Sequence, residues 1–147
     1  MPAGTVYVYP IYGMYECFNI SSDGEGGAVL IRAAEPLDGI ETMQRLRAAT
    51  AKSSKNKQSN LKQHHPKDLC NGPSKLCMAM QIRRRDFDQT DLSTNKDLYL
   101  VKDEDKKVSH DDQVVAKARI GMGKEAKEWA DKPLRFFFKD SPFVSKH

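Results

Sequence analysis

The stretch TVYVYPIYGMYECFNI, residues Thr5 to Ile20, decides the fold of this chain. Two runs rich in valine, isoleucine, tyrosine and phenylalanine are broken at Tyr12 and Gly13, which is the pattern of a β-hairpin. Pro10 lacks a backbone N–H, so the first run is expected at a sheet edge or a bulge. The turn-rich SSDGEGG leads into AVLIRAA, residues 28–34, a third apolar run that we expect to pair with the hairpin. A small antiparallel sheet is therefore predicted.

Helices are predicted to flank this sheet. Asp38 and Glu41 resemble a capping box at the start of a helix that ends near Ala49. Pro73 suits the first turn of a second helix. Weaker patterns predict a short helix that starts near Asp88, a strand at LYLV (98–101), a charged hairpin loop at KDEDKKVSHDD (102–112), a strand at QVVAKARIG (113–121), a short helix around Trp129 and a strand at LRFFF (134–138). The predicted fold class is α+β, with a curved antiparallel sheet and a protruding hairpin.

Residues 50–67 are rich in lysine, serine, asparagine and glutamine and carry almost no apolar side chains. Such a composition predicts a flexible surface loop within the domain. A length of 147 residues is in the usual range of one domain, so we expect a single domain over residues 1–147.

The amino-acid composition limits the classes of function that this chain can have. The 24 Lys+Arg against 20 Asp+Glu give a net charge of +4, which favours a polyanionic partner without requiring one. Cys17, Cys70 and Cys77 form no CxxC pair and have no histidine at metal-ligand spacing, which favours buried, reduced thiols and predicts no metal or cofactor. The most apolar stretch falls far short of the roughly 18 residues that span a bilayer, so a soluble intracellular protein is expected.

The predicted hairpin tip is unusual, because the large side chains of Tyr12 and Met14 flank Gly13 where turns normally carry small polar residues. Proteins that distort duplex DNA use projecting residues of this kind as wedges between base steps in the minor groove. The alternative is that the tip packs beneath a neighbouring loop, which is the commoner arrangement.

For each of two polar residues in the predicted sheet, the residue pattern leaves two alternative roles. Arg32 lies in an apolar run and either points into a pocket or reaches water at a strand edge. Asn19 either hydrogen-bonds a base edge or caps a turn at a strand end.

Basic residues suited to phosphate gather around the predicted helix at Pro73. Lys75 lies in its first turn, and Arg83, Arg84 and Arg85 follow the same helix. A solvated surface is the alternative. Candidate acids and nucleophiles, among them Glu16, Glu25, Ser21, Ser22 and the pair His64–His65, show no triad or metal-ligand pattern. The residue patterns alone indicate a basic α+β domain suited to nucleic acid and go no further.

Six strings, in order, carry a resemblance to the alkyladenine (3-methyladenine) DNA glycosylase family: GTVYVYPIYGMYECFNISS, VLIRAAEPLDGIETM, LCNGPSKLC, FDQTDL, ARIGMG and EWADKPLRFFFKDSPFVS. They extend over nearly the whole chain. The resemblance implies a single α+β domain whose hairpin enters the DNA minor groove. It also implies hydrolysis of the N-glycosidic bond of alkylated or deaminated purines in double-stranded DNA, by a nuclear, monomeric protein of base-excision repair that needs no cofactor.

The resemblance also implies roles for single residues. Tyr12 would intercalate into the DNA with Met14 beside it, Tyr9 would stack on the flipped base, and Asn19 would screen the 2-position of the purine. Arg32 and the backbone carbonyl of Ile120 would hold the attacking water. The residues that would contact DNA phosphates are Arg47, Lys75 and Arg84.

The chain departs from the family in one respect that concerns catalysis. The family's catalytic glutamate lies on a strand upstream of the position that Met1 matches, and no residue here takes its place by motif. Relatives carry an aromatic residue at the position of Glu16 and an aliphatic one at Pro10. The expectation is therefore either a DNA glycosylase whose upstream segment is missing from this sequence, or a catalytically inactive DNA-binding remnant.

Overall fold

The computed structural model describes residues 1–52, 64–102, 114–123, 126 and 128–145. The chain divides into two compact units, Met1–Val101 and Lys102–His147. The first unit contains three strands and four helices: β1 (Val6–Ile11), β2 (Tyr15–Ser21), β3 (Ala28–Leu30), α1 (Ile40–Lys52), α2 (Pro66–Leu69), α3 (Pro73–Met80) and α4 (Arg84–Phe87). The second contains β4 (Val114–Lys117), α5 (Glu128–Asp131) and β5 (Arg135–Phe138). The predicted α+β class is confirmed, and the single-domain interpretation stays a prediction.

The predicted hairpin forms the centre of the first unit. β1 and β2 pair antiparallel from Val6 opposite Ile20 to Ile11 opposite Tyr15. β3 pairs antiparallel with β2 on its other side, so the sheet order is β1-β2-β3 and Pro10 lies in an edge strand, as predicted. The third strand ends at Leu30, shorter than the apolar run AVLIRAA that predicted it.

One face of this sheet carries the core. Val6 and Val8 of β1 and Phe18 of β2 point the same way by strand alternation, and all three are buried. α3 packs against this sheet through β2 and contacts α1 on another side. Its Leu76 and Ala79 complete the apolar cluster with Leu69, Ile82 and Leu92. The hydrophobic effect of this burial is the main force that holds the hairpin to the helices.

The helix that Pro73 predicted is confirmed. Pro73 occupies the first turn, where its missing N–H leaves no intrahelical bond unmade. The helix ends at Met80 and is capped by Gln81, whose N–H donates to the Cys77 carbonyl. The left-handed conformation of Gln81 lets the next N–H, that of Ile82, donate to the same carbonyl at 3.0 Å. The helix predicted after Asp38 is also confirmed, and it runs three residues beyond Ala49, to Lys52.

Three sequence predictions need correction. The short helix near Asp88 instead ends there, because Asp88 takes an extended conformation and its carboxylate accepts the Val8 N–H at 2.9 Å. LYLV is not a strand, because the Asn95 side chain accepts the N–H groups of Asp97 and Leu98 and turns the chain just before it. The predicted 50–67 loop is shorter at both ends, since α1 reaches Lys52 and α2 begins at Pro66.

Residues 53–63 of that loop, and the predicted charged loop from residue 103 to residue 112, lie outside the described residues. The flexibility predicted for the lysine-rich loop stays a prediction.

The second unit contains the predicted aromatic strand. β4 and β5 pair antiparallel from Val114 opposite Phe138 to Lys117 opposite Arg135. Arg135 is buried, its Nε donates to the Ala118 carbonyl at 3.1 Å, and its guanidinium lies 4.6 Å from the centre of the Phe137 ring. The strand predicted over residues 113–121 forms over Val114–Lys117 and ends four residues earlier than predicted, and the strand predicted over residues 134–138 forms over Arg135–Phe138. The short helix predicted around Trp129 is confirmed.

The three cysteines are buried and unbridged. Within the described ranges, no helix has the length and apolar character that a membrane crossing needs.

Candidate nucleic-acid interface

The hairpin tip projects two large side chains into solvent. Tyr12 is 84% exposed and Met14 is 69% exposed. The turn closes with the Met14 N–H donating to the Ile11 carbonyl at 3.4 Å. The prediction that Tyr12 and Met14 flank a tight turn is therefore met, and the alternative that a neighbouring loop covers them does not hold among the described residues.

The tip has a strained backbone. Tyr12 has φ 53° and Gly13 has φ 69°, and the twist of the paired strands favours turns with positive φ at both positions. Glycine adopts this conformation freely, but for an L-residue such as tyrosine it costs about 1–2 kcal/mol. A bulky aromatic in this position, exposed and strained, is better explained by a function at the tip than by stability.

The sheet face opposite the core carries a tyrosine and a buried amide. Tyr9 is half-buried on this face opposite Cys17, and its ring centre lies 5.6 Å from that of Tyr7. Asn19 is 7% exposed, and its Nδ2 donates to the backbone carbonyls of Tyr7 at 3.1 Å and Cys17 at 3.3 Å. These two bonds hold the Asn19 amide in one orientation. Tyr9 and Asn19 thus share a face, as predicted for a pocket.

Burial is the largest of the effects that raise the pKa of Tyr9. A hydrogen bond with Cys17 and the electrostatic effects of Cys17 and Tyr7 raise this pKa further, whereas the charge of Arg32 lowers it. The Tyr9 phenol is therefore neutral near pH 7, as an aromatic surface for stacking should be. Arg32, a half-buried residue two positions beyond β3, thus acts on the Tyr9 phenol through its charge.

Ile120 belongs to the second unit, where it forms a turn with Gly121 soon after β4. Gly121 has φ 78°, a conformation that glycine adopts without strain. The turn leaves Ile120 half-buried. Its role at the attacking water stays a prediction.

Glu16 lies on the other face of the hairpin. It pairs with Pro10, one position away from the Tyr9–Cys17 pair, so strand alternation directs it away from Tyr9. Its Oε1 accepts the Arg84 N–H at 2.9 Å. Glu16 is thus tied to α4, away from the face that carries Tyr9 and Asn19.

An arginine cleft of about 620 Å³ opens beside this contact, lined by Glu16, Arg83, Arg84, Arg85, Asp88 and Gln89. The Arg84 Nε lies 3.5 Å from the Asp88 carboxylate, and the Arg84 side chain remains 60% exposed. The Arg85 Nε lies 3.4 Å from Asp86, with 72% of the arginine side chain exposed. Exposed pairs of this kind are weak, so both guanidinium groups can exchange these carboxylates for phosphate. The Arg84 guanidinium is thus accessible to solvent, as its predicted phosphate contact requires.

Lys75 lies in the first turn of α3, half-buried, and its Nζ donates to Asn71 Oδ1 at 2.6 Å. One of its three ammonium protons is used in this way. Asn71 is buried and in turn donates to the Asp68 carboxylate at 3.0 Å. Lys75 is therefore held in place by α2 and the residues that follow it.

Arg47 differs from the other predicted phosphate residues. It is 9% exposed, and its Nη1 donates to the carbonyls of Leu69 at 2.6 Å and Asp68 at 3.3 Å, at the end of α2. Burial lowers the pKa of Arg47, and the neighbouring Cys70, Asp68 and Tyr15 act in the opposite direction. The geometry gives Arg47 a role in joining α1 to α2, and its phosphate contact stays a prediction.

Sequence reasoning missed three residues of this interface. Strand alternation offered a signal for Tyr7, which stands two positions before Tyr9. Asp88 and Asn71 had no such signal, because their partners Val8 and Lys75 depend on contacts that only the folded chain shows.

A strained and exposed aromatic tip, a tyrosine and a fixed amide on one sheet face, and accessible arginines are features of the class of proteins that distort duplex DNA to reach a single base. Sequence similarity to known proteins identifies the family within this class. The family model for methylpurine-DNA glycosylase matches residues 1–142, so the chain belongs to the methylpurine-DNA glycosylase family.

Curated relatives support the same family. The DNA-3-methyladenine glycosylase of Homo sapiens is 48% identical over 145 residues, which covers 99% of this chain and 46% of the relative. The protein of the same name from Mus musculus is 49% identical, over 99% of this chain and 41% of the relative. A bacterial relative from Clostridium perfringens is 41% identical, over 97% of this chain and 66% of the relative. The chain thus spans 46% and 41% of the length of the two mammalian relatives.

Proposed function

We propose that this chain belongs to a DNA-3-methyladenine glycosylase of base-excision repair, which flips an alkylated or deaminated purine out of duplex DNA and hydrolyses its N-glycosidic bond. The names of the human and mouse relatives support this activity. The observation that carries it is the exposed, strained Tyr12 at a hairpin whose one face bears Tyr9 and Asn19.

The wedge acts first in this proposal. Tyr12 enters the minor groove with Met14 beside it and fills the gap that the flipped nucleotide leaves in the base stack. Its exposure of 84% means that no packing within the first unit is lost when it inserts. The turn's positive φ values aim the side chain outward before DNA arrives, so little conformational entropy is lost on insertion.

The flipped base then lies against the Tyr9 face. A purine alkylated on its ring carries positive charge, which favours stacking on the electron-rich face of a neutral tyrosine. The Asn19 amide is fixed by the Tyr7 and Cys17 carbonyls, so it does not move aside for a bulkier base edge. A purine with a 2-amino group, such as undamaged guanine, would be rejected there.

Bond cleavage needs a water and a carboxylate. Arg32, whose charge acts on the Tyr9 phenol, is the proposed contact of the attacking water. A carboxylate would take the water's proton and stabilise the positive charge that develops on the sugar. Glu16 is excluded from this role in the proposal, because it faces away from Tyr9 and bonds to the Arg84 N–H.

Replacing Glu16 with glutamine is expected to leave the single-turnover rate of base release within about twofold of the unchanged protein, because the glutamine amide oxygen can still accept the Arg84 N–H. Loss of a general base typically lowers the rate by about 10²-fold or more. The rate is measured on a protein extended upstream along its native reading frame, in excess over a duplex that carries one hypoxanthine. A loss of that size in Glu16→Gln would show that Glu16 reaches the reacting water.

Lys75 and Arg84 are the proposed contacts to the phosphate backbone of double-stranded DNA that carries a damaged purine. We further propose a monomer that works in the nucleus. The mammalian relatives favour the nucleus, whereas the bacterial relative means that family membership alone does not imply it.

Release of free hypoxanthine from a duplex tests the proposed activity, and release from the damaged but not from the matched undamaged duplex is the expected result. Tight binding of the damaged duplex with no release by any form of the protein would instead favour a catalytically inactive DNA-binding protein.

A further inference from the structure

The arginine cleft contains two arginines, Arg83 and Arg85, to which the proposed function gives no role. Three guanidinium groups and two carboxylates line the cleft, and the carboxylates belong to Glu16 and Asp88. Each carboxylate already accepts a backbone N–H at 2.9 Å, that of Glu16 from α4 and that of Asp88 from β1. The lining thus carries one positive charge in excess, and both of its acids are partly engaged by the backbone.

Neither Arg83 nor Arg85 has a strong partner in the cleft. Arg83 is half-buried, and no residue among those the structure describes forms a hydrogen bond or an ion pair with its guanidinium. The Arg85 side chain is 72% exposed, and its Nε lies 3.4 Å from the exposed carboxylate of Asp86. Ion pairs in solvent contribute little, so Arg85 can exchange Asp86 for another anion. A half-buried guanidinium keeps its charge and is stabilised by an anion beside it. Both arginines are therefore available to a ligand.

The cleft lies close behind the hairpin tip. Glu16 lines it and stands two residues beyond Met14, and a strand advances about 3.3 Å per residue, so the cleft begins roughly 7 Å from the tip. The minor groove of B-DNA is about 7.5 Å deep, and the phosphates of both strands line its rim. A tip inserted to the floor of the groove thus brings the arginine cleft level with the phosphates.

The cleft also lies on a defined side of the hairpin. Strand alternation directs Glu16 away from Tyr9, and in the proposed function the flipped base lies against Tyr9. The other face of the hairpin is then turned toward the opposite wall of the groove, which is the backbone of the complementary strand. A guanidinium binds phosphate through two parallel N–H groups, so arginine is well suited to this position.

We propose that Arg83 and Arg85 bind phosphates of the complementary DNA strand when the hairpin tip enters the minor groove. The inference rests on the proposed function and deepens it, because it assigns two further residues and the strand that they hold. Arg84, whose phosphate contact is already proposed, lies between them in the chain. Asp86 is the internal carboxylate that Arg85 exchanges for the phosphate.

Phosphate contacts have a signature in the salt dependence of binding. Each contact releases counterions from the DNA and steepens the plot of log affinity against log salt concentration by about 0.9. We expect Arg83→Gln and Arg85→Gln each to flatten this plot by about one unit and to weaken binding roughly 5- to 10-fold near 0.1 M salt. Asp86→Asn is expected to tighten binding roughly two- to fivefold, because the carboxylate that competes with phosphate for Arg85 is gone.

The matched control is Arg45→Gln. Arg45 is an exposed arginine of α1 whose Nη2 donates to the Thr42 hydroxyl at 3.5 Å, and its replacement lowers the net charge by the same amount. This control is expected to leave the slope of the salt plot nearly unchanged. Affinity is measured by fluorescence anisotropy with an abasic-analogue duplex, from about 0.05 to 0.3 M salt, and thermal unfolding of each variant checks the fold.

Neutral methylphosphonate linkages, placed one at a time in either strand near the abasic analogue, identify the strand. A linkage that weakens binding by the unchanged protein but not by Arg83→Gln or Arg85→Gln marks the bound phosphate, and we expect it in the complementary strand. Such linkages in the damaged strand alone would overturn the inference, as would unchanged salt slopes in both arginine variants, and either result leaves the proposed function in place. Failure of the unchanged protein to bind the duplex at any salt concentration would overturn both.

Discussion

Replacing Tyr12 with alanine is expected to weaken binding to a duplex with an abasic analogue by roughly 10- to 100-fold, because the side chain that fills the vacated stack is gone. Unstacking a base step opposes binding by a few kcal/mol, and the wedge offsets much of this. Tyr12 is 84% exposed in the free protein, so its removal leaves no cavity in the core. The folded chain should also become slightly more stable, because alanine has less side chain to order at the tip.

A matched control is Tyr99→Ala, which removes an exposed tyrosine outside the hairpin. Binding is measured by fluorescence anisotropy, at one salt concentration for both variants because phosphate contacts make affinity depend strongly on salt. Thermal unfolding of each variant shows whether the fold survives. Small and equal effects of the two replacements would remove the basis for the wedge.

Replacing Tyr9 with alanine is expected to slow base release by roughly 10- to 100-fold at saturating protein. Stacking of a base on an aromatic side chain contributes about 1–3 kcal/mol. Tyr9 is only half-buried and lies on the sheet face opposite Val8 and Phe18, so this change should affect the core little. The Tyr7 ring, whose centre lies 5.6 Å from that of Tyr9, would lose its neighbour, but Tyr7 would keep its place in β1.

Tyr9→Phe is the control, because it keeps the aromatic surface and loses only the hydroxyl that bonds with Cys17. It should retain most of the activity, within about fivefold, since a net hydrogen bond contributes about 1 kcal/mol. If alanine and phenylalanine at this position lowered the rate equally, the hydroxyl and not stacking would be the function of Tyr9.

Local sequence pattern was enough to predict the hairpin and its tip. The family resemblance assigned Tyr9 and Asn19 to one base pocket, and the register of β1 and β2 places the two side chains on the same face of the sheet. Pro10 indicated the edge strand, and Pro73 the start of α3. These signals depend on residues that are neighbours in the chain.

Predictions failed where distant residues decide the outcome. Asp88 ends α4 because its carboxylate caps the N–H of Val8, eighty positions away in the chain. The burial of Arg47 had no local signal either, because it depends on the carbonyls at the end of α2 that accept its protons, and its phosphate contact stays a prediction. Likewise, the contact of Glu16 with the Arg84 N–H joins residues 68 positions apart, so the local pattern around Glu16 could not indicate it.

The most direct test of the central claim is single-turnover release of hypoxanthine from a duplex, measured for the 147-residue chain and for a protein extended upstream along its native reading frame. We expect both forms to bind the abasic-analogue duplex through Tyr12. We expect base release from the extended form, at a rate that Tyr9→Ala lowers by roughly 10-fold or more. Duplex binding by both forms with hypoxanthine released by neither would contradict the proposed glycosylase activity and leave a DNA-binding protein.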